Sequence, residues 1–359
     1  MTQIIFHCDL DAFFASVEIR DHFEYKNKPV IIGADPKGGK GRGVISTCNY
    51  EARKYGLHSA LPISQAYKRC PQGIFLRPNF LKYRKASKQV MQILNSFSEE
   101  FQQVSIDEAY IDMSKRCEDF DKVKEFAEKI QKSIMKEVGI TLSIGVAPTK
   151  SIAKIASDYH KPNGITIVRP EEIKKFLTPM EITCIPGIGK KSKFYYNKKG
   201  FFTIGDIINT PLNLMIQKFG KSGSWAWKVA NGLDKRSIKA IPDERKSISK
   251  ERTFYEDTAD FSLIVSKLEE INKKIHNKLK RDGVYYRTIT LKIRFQGFLT
   301  YTRSKSLPFH IKDEKITIDV ILELYKEFLN IGKKVRLVGI KLSNLATKDK
   351  IQRKLINYL

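Results

Sequence analysis

The sequence predicts a multi-domain α/β protein, and three observations predict it. Over residues 2–168 short apolar strands alternate with helical patterns, the order expected of helices packed on a central sheet. From Pro170 the strand signal stops, and residues 170–232 read as helical throughout. Beyond a polar, basic stretch interrupted by Pro242, two strand–helix–strand halves follow, the pattern of a small split βαβ domain. A chain of 359 residues accommodates about two to four domains.

Residues 2–10 read as a buried strand, and Ala12–Arg20 as a helix with Phe13, Val17 and Arg20 at helical spacing. Pro29–Gly33 is a second apolar strand. The loop DPKGGKGRG at 35–43 lacks the GxxxxGK[ST] order of a phosphate loop and is expected to be an exposed connection. Val44–Tyr50 is strand-like, and Glu51–Gly56 is a short helix stopped by glycine. Ser64–Cys70 is a helix ended by Pro71, and Lys82–Phe101 is a long amphipathic helix. A strand is expected over Val104–Met113, then a helix over Asp121–Glu137 and an apolar strand over Ile140–Ala147. A short helix, Ser151–Asp158, leads through a turn at 161–164 into a strand, Ile165–Val168. In the last region the pattern gives strand Ser247–Phe254, helix Phe261–Lys280, strands Arg287–Phe295 and Phe298–Lys305, helix Asp319–Leu329 and strand Val335–Leu342.

Lys and Arg outnumber Asp and Glu by 65 to 39, a formal charge of +26. The acids gather in motifs while the bases are spread widely. That pattern favours a polyanionic partner, nucleic acid ahead of an acidic membrane, over a soluble protein of merely basic composition. Cys8, Cys48, Cys70, Cys117 and Cys184 are scattered without a CxxC pair, which argues against a disulfide framework or zinc site and for a reducing compartment. No basic segment and apolar run open the chain, and no apolar run is long enough for a bilayer, so a soluble, intracellular protein is expected.

The chemistry gathers at Ser105–Asp112 (SIDEAYID). Asp107 and Glu108 are adjacent carboxylates in a strand-like run, so they point to opposite faces and both cannot enter the core. Such a pair needs water or a cation. The N-terminal strand offers a second acidic end, Asp9-Leu10-Asp11. Two acidic strands are how a fold builds a site for hard divalent ions. Phe14, just past the acidic turn, suits either a core aromatic or a ring beside whatever Asp9 binds. Tyr50 and Arg53 are three apart and share a helical face, either as a surface pair or as a grip for phosphate.

In Ile185–Lys191 (IPGIGKK), Gly187 and Gly189 allow a tight hairpin between helices and leave N–H groups free for a phosphate oxygen, with Lys190, Lys191 and Lys193 beside them. An ordinary helix–helix turn has the same appearance. In the last region Lys292 and Arg294, then Tyr301, Arg303 and Lys305, recur at every second position, and alternation is expected to put them on one exposed face. The basic tail from Ala346 ends in QRKLINYL, either a docking peptide built on Gln352, Leu355 and Tyr358 or a frayed amphipathic end.

In order and at compatible spacing, DLDAFFASVE (9–18), GVISTCNYEARKYGLHSALP (43–62), SIDEAYID (105–112), LSIGVAPTKSIAKIASDYHKPNGI (142–165), IPGIG (185–189) and VRLVGIKLSNL (335–345) resemble the Y-family (translesion) DNA polymerases. The likeness is to their bacterial polymerase IV and archaeal branch and runs from about Ile4 to Leu345. It implies a right-hand polymerase fold: an α+β palm (1–12 and 79–168), small fingers (13–78), a helical thumb with a helix-hairpin-helix (169–233), a linker (234–244) and a split βαβ little finger (245–345), with residues 346–359 as a tail.

The resemblance also implies roles. Asp9, Asp107 and Glu108 match the carboxylates that hold two Mg2+ ions, with Mn2+ an alternative, and the Leu10 backbone carbonyl completes one shell. Phe14 matches the steric gate beneath the incoming sugar, and Thr47, Tyr50, Arg53 and Lys161 match the triphosphate contacts. Val44, Ser46 and Ala60 match the roof over the nascent pair; these small residues imply weak shape discrimination and room for damaged template bases. Asp11 and Asp112 lie outside the metal set. No segment resembles a proofreading exonuclease. The implied partners are primer–template DNA, dNTP and, through the tail, a ring-shaped sliding clamp; the clamp peptide it resembles ends in two aromatics, whereas this chain ends in Leu359. A monomer in the cytoplasm, associated with the nucleoid, is expected. Two other readings are a catalytically inactive DNA-binding scaffold of the same fold and a nucleotidyl cyclase; the latter has no use for the hairpin or the basic third domain.

Overall fold

The computed structural model describes residues 3–117, 119–239 and 244–348. The chain divides into two compact units, Met1–Pro242 and Asp243–Leu359.

The first unit begins β1 (Ile5–Leu10), α1 (Phe13–Asp21), β2 (Val30–Gly33), β3 (Ile45–Cys48), α2 (Tyr50–Arg53), α3 (Ile63–Arg69) and β4 (Ile74–Leu76). It continues α4 (Phe80–Phe97), β5 (Phe101–Gln103), β6 (Glu108–Asp112), α5 (Val123–Val138), β7 (Leu142–Ala147), α6 (Lys150–Tyr159) and β8 (Ile165–Ile167). A five-stranded sheet in the order β5-β6-β1-β7-β8 is its centre. β1 pairs antiparallel with both β6 and β7 and is buried at every residue, His7 and Asp9 included. Its even-numbered side chains, Phe6, Cys8 and Leu10, join the core made with α4 and α5; Ile5 joins a second core with α6.

The caps follow local chemistry. The Asn79 side chain accepts the Lys82 N–H at the start of α4, Thr149 accepts the Ile152 N–H at the start of α6, and Gly139, at φ 71°, ends α5. A small sheet, β3-β2-β4, packs with α2 and α3 around Ile31, Ile45, Leu57 and Ile63.

The expected strand Val104–Met113 is shorter than the sequence suggested. Residues 104–107 form the turn of a hairpin between β5 and β6, and the strand starts at Glu108. The cause is Ser105, whose Oγ accepts the N–H groups of Asp107 (3.2 Å) and Glu108 (2.9 Å) and so competes with the ladder.

After β8 the unit is helical, as expected from Pro170 onward: α7 (Ile173–Leu177), α8 (Lys190–Lys198), α9 (Ile204–Ile208) and α10 (Leu212–Ala230), the last broken at Gly220. The first residues of the expected linker are docked on α6. Buried Asp234 accepts the Ser151 hydroxyl (2.6 Å), and Arg236 lies over the Trp225 ring (4.4 Å).

The second unit runs β9 (Ser247–Thr258), α11 (Phe261–Asp282), β10 (Val284–Phe295), β11 (Thr300–Ile311), α12 (Glu314–Tyr325), β12 (Val335–Ser343) and β13 (Ala346–Thr347). Its sheet order is β11-β10-β12-β9, with β13, at the start of the expected tail, pairing β10. Ile264, Leu268, Ile271 and Ile275 of α11 and Ile321 of α12 cover one face and form this unit's own core. Among the described residues no helix is long and apolar enough to cross a membrane.

Candidate active site and nucleic-acid interface

The register of β1 and β6 builds the centre. Asp9 lies directly opposite Glu108, so the two strands bring these carboxylates together as two acidic strands around one cation would. Asp107 sits in the preceding turn. Its carbonyl accepts the Leu10 N–H (3.0 Å), which ties it to β1, but its Oδ1 takes the Ser105 hydroxyl at 2.5 Å. A ring nitrogen of His7 and one carboxylate oxygen each of Asp9 and Glu108 all lie within 4.8 Å of one another. Asp107 stands outside that group, and His7, which sequence reasoning missed, stands inside it.

Lysines neutralise the acids. Lys161 Nζ lies 2.6 Å from Asp9 and 2.8 Å from Asp158, and Lys154 Nζ lies 2.5 Å from Glu108. Burial pushes the Asp9 carboxyl up to about 7, an effect that Lys161 only partly offsets. Burial disfavours the Lys161 charge, yet the Asp9 and Asp158 carboxylates outweigh it and raise its pKa. His7 is held well below the ordinary histidine range by burial and then by Lys154, Lys161 and Lys150. Lys154 and Asp158 were also missed. They recur at i and i+4 along α6, a face that periodicity in 142–165 marks but whose neighbour it does not name.

Asp11 is structural. It accepts the Ser143 hydroxyl (2.8 Å) and the Asn163 N–H (2.8 Å) and receives the Tyr50 hydroxyl at 3.5 Å. Asp112 is likewise bound to Ser114 at 2.5 Å. Neither belongs to the group formed by His7, Asp9 and Glu108.

Around this centre, Phe14 is half-buried and stacks on Tyr83, ring centroids 4.3 Å apart and planes 11° apart, with Phe80 edge-on at 5.8 Å. Tyr50 and Arg53 do share a face of α2: the guanidinium lies 4.4 Å over the ring. Burial, with Asp11 next, pushes the Tyr50 hydroxyl up to about 12. Thr47, on β3, is half-buried; Val44 and Ser46, two apart, are exposed together, and the Ala60 N–H bonds the Ile45 carbonyl between them at 2.9 Å.

A cleft of about 950 Å³ runs from Lys154 and Asp158 on α6 to the Pro186–Gly189 turn. Gly187 has φ 101°, a conformation that favours glycine, and Gly189 caps α8 with open space where a side chain would be. Lys190 and Lys191 are exposed beside them, whereas Lys193 is paired with Glu181 at 2.7 Å.

In the second unit the register corrects the expected basic face. Lys292 lies opposite Thr302 and Arg294 opposite Thr300, but Leu291 opposes Arg303 and Ile289 opposes Lys305. Directly opposed residues share a face, so Arg303 and Lys305 stand on the helix side with Leu291 and Ile289. There Arg303 binds Glu327 (2.6 Å) and Lys305 binds Glu323 (2.7 Å). Strand alternation alone gave each strand two faces without saying which of them coincide across the hairpin. The helix-free face carries Lys292, Arg294 and a ladder of hydroxyls, Thr288 to Ser306 (2.9 Å) and Thr290 to Ser304 (2.8 Å). Gln352, Leu355 and Tyr358 lie outside the described residues.

Residues 8–158 match the impB/mucB/samB family, and residues 245–355 match the C-terminal domain of that family. The chain is 43% identical to DNA polymerase IV 2 of Methanosarcina mazei over 98% of its own length and 94% of that protein. Among solved structures it resembles a Y-family polymerase chimera of Dbh and Dpo4, with 30% identity, a TM-score of 0.85, and 96% of this chain and all of that one covered. The insertion ternary complex of Dbh DNA polymerase is similar at 30% identity and a TM-score of 0.63, over 96% of this chain and 100% of that one.

Proposed function

Since the chain belongs to the Y-family DNA polymerases, in the polymerase IV branch, and is a DNA-directed DNA polymerase of translesion synthesis, we propose how its own residues carry out that activity. The reading rests on one observation, the pairing of Asp9 with Glu108 at the centre of the sheet, each acid held by a lysine. Paired acids, Asp9 buried and Glu108 half-buried, beside an unpartnered histidine nitrogen fit a divalent cation, and the lysines supply that charge meanwhile.

When bound, two divalent ions, Mg2+ or Mn2+, activate the primer 3′-oxygen and neutralise the departing pyrophosphate. Asp9, Asp107 and Glu108, with the Leu10 carbonyl, would hold these ions, taking the places on Asp9 and Glu108 that Lys161 and Lys154 occupy. Lys161, freed from Asp9, turns to the triphosphate with Arg53, Tyr50 and Thr47 and offsets its shifting charge. Phe14, fixed by its stack on Tyr83, closes the space a 2′-hydroxyl would need. Val44, Ser46 and Ala60 form the loose roof that admits damaged bases. The primer strand follows the cleft to Gly187 and Gly189, whose N–H groups, with Lys190 and Lys191, take a backbone phosphate. The hydroxyl-lined sheet face with Arg294 holds the duplex backbone further along; Arg303 serves the helix side instead.

The enzyme works as a cytoplasmic monomer on nucleoid DNA, and its last eight residues dock a sliding clamp. Deleting 352–359 should lower synthesis only when a loaded clamp is present.

The deciding experiment is primer extension with Mg2+ and four dNTPs on undamaged and abasic templates, beside an Asp107→Ala, Glu108→Ala double variant. Extension by the wild type alone supports the assigned site, and the abasic lane reads bypass. Intact DNA binding with no extension by the wild type would favour a scaffold role.

A further inference from the structure

The turn that joins β10 to β11 holds a residue its geometry disfavours. Gly297 and Phe298 follow one another at φ 78° and 64°, and the Phe295 N–H closes the turn on the Leu299 carbonyl at 2.8 Å. Hairpin turns with two positive φ angles in a row select Asn, Asp and Gly, because a larger side chain crowds its own backbone there. Gly297 obeys that rule and Phe298 breaks it. Burial does not explain the exception, since Phe298 is 64% exposed. Strain kept at an exposed position points to a task.

The neighbours of the ring identify that task. The Arg336 guanidinium lies 4.5 Å from the ring centroid and that of Arg294 5.8 Å, both within reach of a cation–π contact. The two arginines come from different strands. Arg294 lies on the helix-free face of β10, where its Nε donates to the Thr300 hydroxyl at 2.8 Å. Arg336 is the extra residue of a bulge in β12: Val335 pairs with Phe295 and Leu337 with Arg294, so Arg336 has no opposite number on β10. A bulge re-aims a side chain, and this one brings Arg336 to Phe298. Its Nη1 is 3.6 Å from Asp257, a charge contact longer than a hydrogen bond. Stacking uses the flat face of a guanidinium and leaves N–H donors at its edge for a phosphate. Without the ring, two long side chains would have to give up their rotamer freedom when DNA binds.

We propose that Phe298 is a positioning residue for DNA: its ring holds Arg294 and Arg336 beside one another, before DNA arrives, as a two-guanidinium grip for backbone phosphates. This role rests on the reading of the helix-free face as the one that holds the duplex. Phosphate contacts carry no sequence information, so the grip acts alike on every template.

The test is fluorescence anisotropy of the full chain on primer–template across a salt series. Phe298→Gly removes the ring and the backbone strain together. It should weaken binding about tenfold at every salt concentration and leave the slope of log affinity against log salt unchanged, because both charges remain. Arg336→Ala removes a charge and should make the slope shallower by about 1. Phe298→Tyr keeps an aromatic face and should bind as the wild type does, whereas Phe298→Leu should match Phe298→Gly. In a chain that already carries Arg294→Ala and Arg336→Ala, Phe298→Gly should cost nothing further. Its melting should stay close to that of the wild type, the relieved strain offsetting the lost contacts. A fall of more than about 5 °C would assign the ring to the fold and overturn the proposal. Wild-type affinity in Phe298→Gly or Phe298→Leu overturns it too, and the reading of the face stands if Arg294→Ala still makes the slope shallower. If neither arginine variant changes the slope, both fall.

Discussion

Asp9 is where stability and function pull apart. Its carboxyl is pushed from an ordinary 3.8 to about 7 by burial, so the folded chain prefers it neutral. The ionisation penalty is absent below the unfolded value, grows as pH rises between the two, and is complete above about 7. Asp9→Asn removes the penalty but deprives Lys161 of a partner, leaving a net gain on the order of 1 kcal/mol, or about 2–4 °C. Metal-free Asp9→Asn should therefore melt above the wild type at pH 8, match it only below about pH 4, where the acid is neutral in both states, and extend no primer; equal melting at pH 8 would refute the argument. Phe14 allows a second test. If Phe14 lies beneath the incoming sugar as proposed, its stack on Tyr83 keeps the ring in place, and Phe14→Ala should improve kcat/KM for ribonucleotides relative to dNTPs by about 10–200-fold. At this scale Asp9 and Glu108 were legible because an acid inside or at the end of an apolar strand is costly unless water or a cation meets it. His7 was not, because a histidine in a buried strand reads as core until register and α6 show its surroundings.

Among the elements, α6 does most to set the site. Lys154 and Ser157 reach Glu108 and His7 only because α6 packs closely on β7, and Gly145 makes that approach possible. A Cβ there would meet the Ala153 carbonyl oxygen at 2.0 Å and the Ser157 nitrogen at 2.3 Å, both backbone atoms with little room to move. Gly145→Ala should lift the helix, cost about 1–3 kcal/mol and lower primer extension at saturating dNTP. Thermal melting together with kcat checks it, and an unshifted melt would show that the helix is free to slide. Most strands and helices were legible from periodicity, and so was the helical stretch after Pro170; the three-residue strands Ile74–Leu76 and Phe101–Gln103 were too short to give a period and were not expected. Two further features were not legible. The 104–107 turn arises from one serine hydroxyl competing with the strand ladder. The separation of Arg294 from Arg303 arises from hairpin register, which alternation within a single strand does not specify.

At the scale of the molecule, the net charge of +26 is a statement about the partner. It was readable at once, as was the division into a sheet-and-helix region and a split βαβ region, because each unit buries its own apolar set. Which bases touch DNA was not readable, since composition counts Arg303 and Arg294 alike. The structure separates them: Arg303 is bound to Glu327, while Arg294 donates to the Thr300 hydroxyl on the helix-free face. If about six phosphates are neutralised, log affinity for primer–template should fall with log salt at a slope near roughly −5. Arg294→Ala removes one such contact and should make the slope shallower by about 1, with a similar loss on every template sequence. Arg303→Ala should leave the slope unchanged and act, if at all, on the melting of the second unit, because it leaves Glu327 without its ion pair. Fluorescence anisotropy across a salt series distinguishes the cases. Equal slopes for the two variants would mean that the hydroxyl-lined face does not carry the backbone contact, and a wild-type slope near zero would mean that the charge is not there for DNA at all.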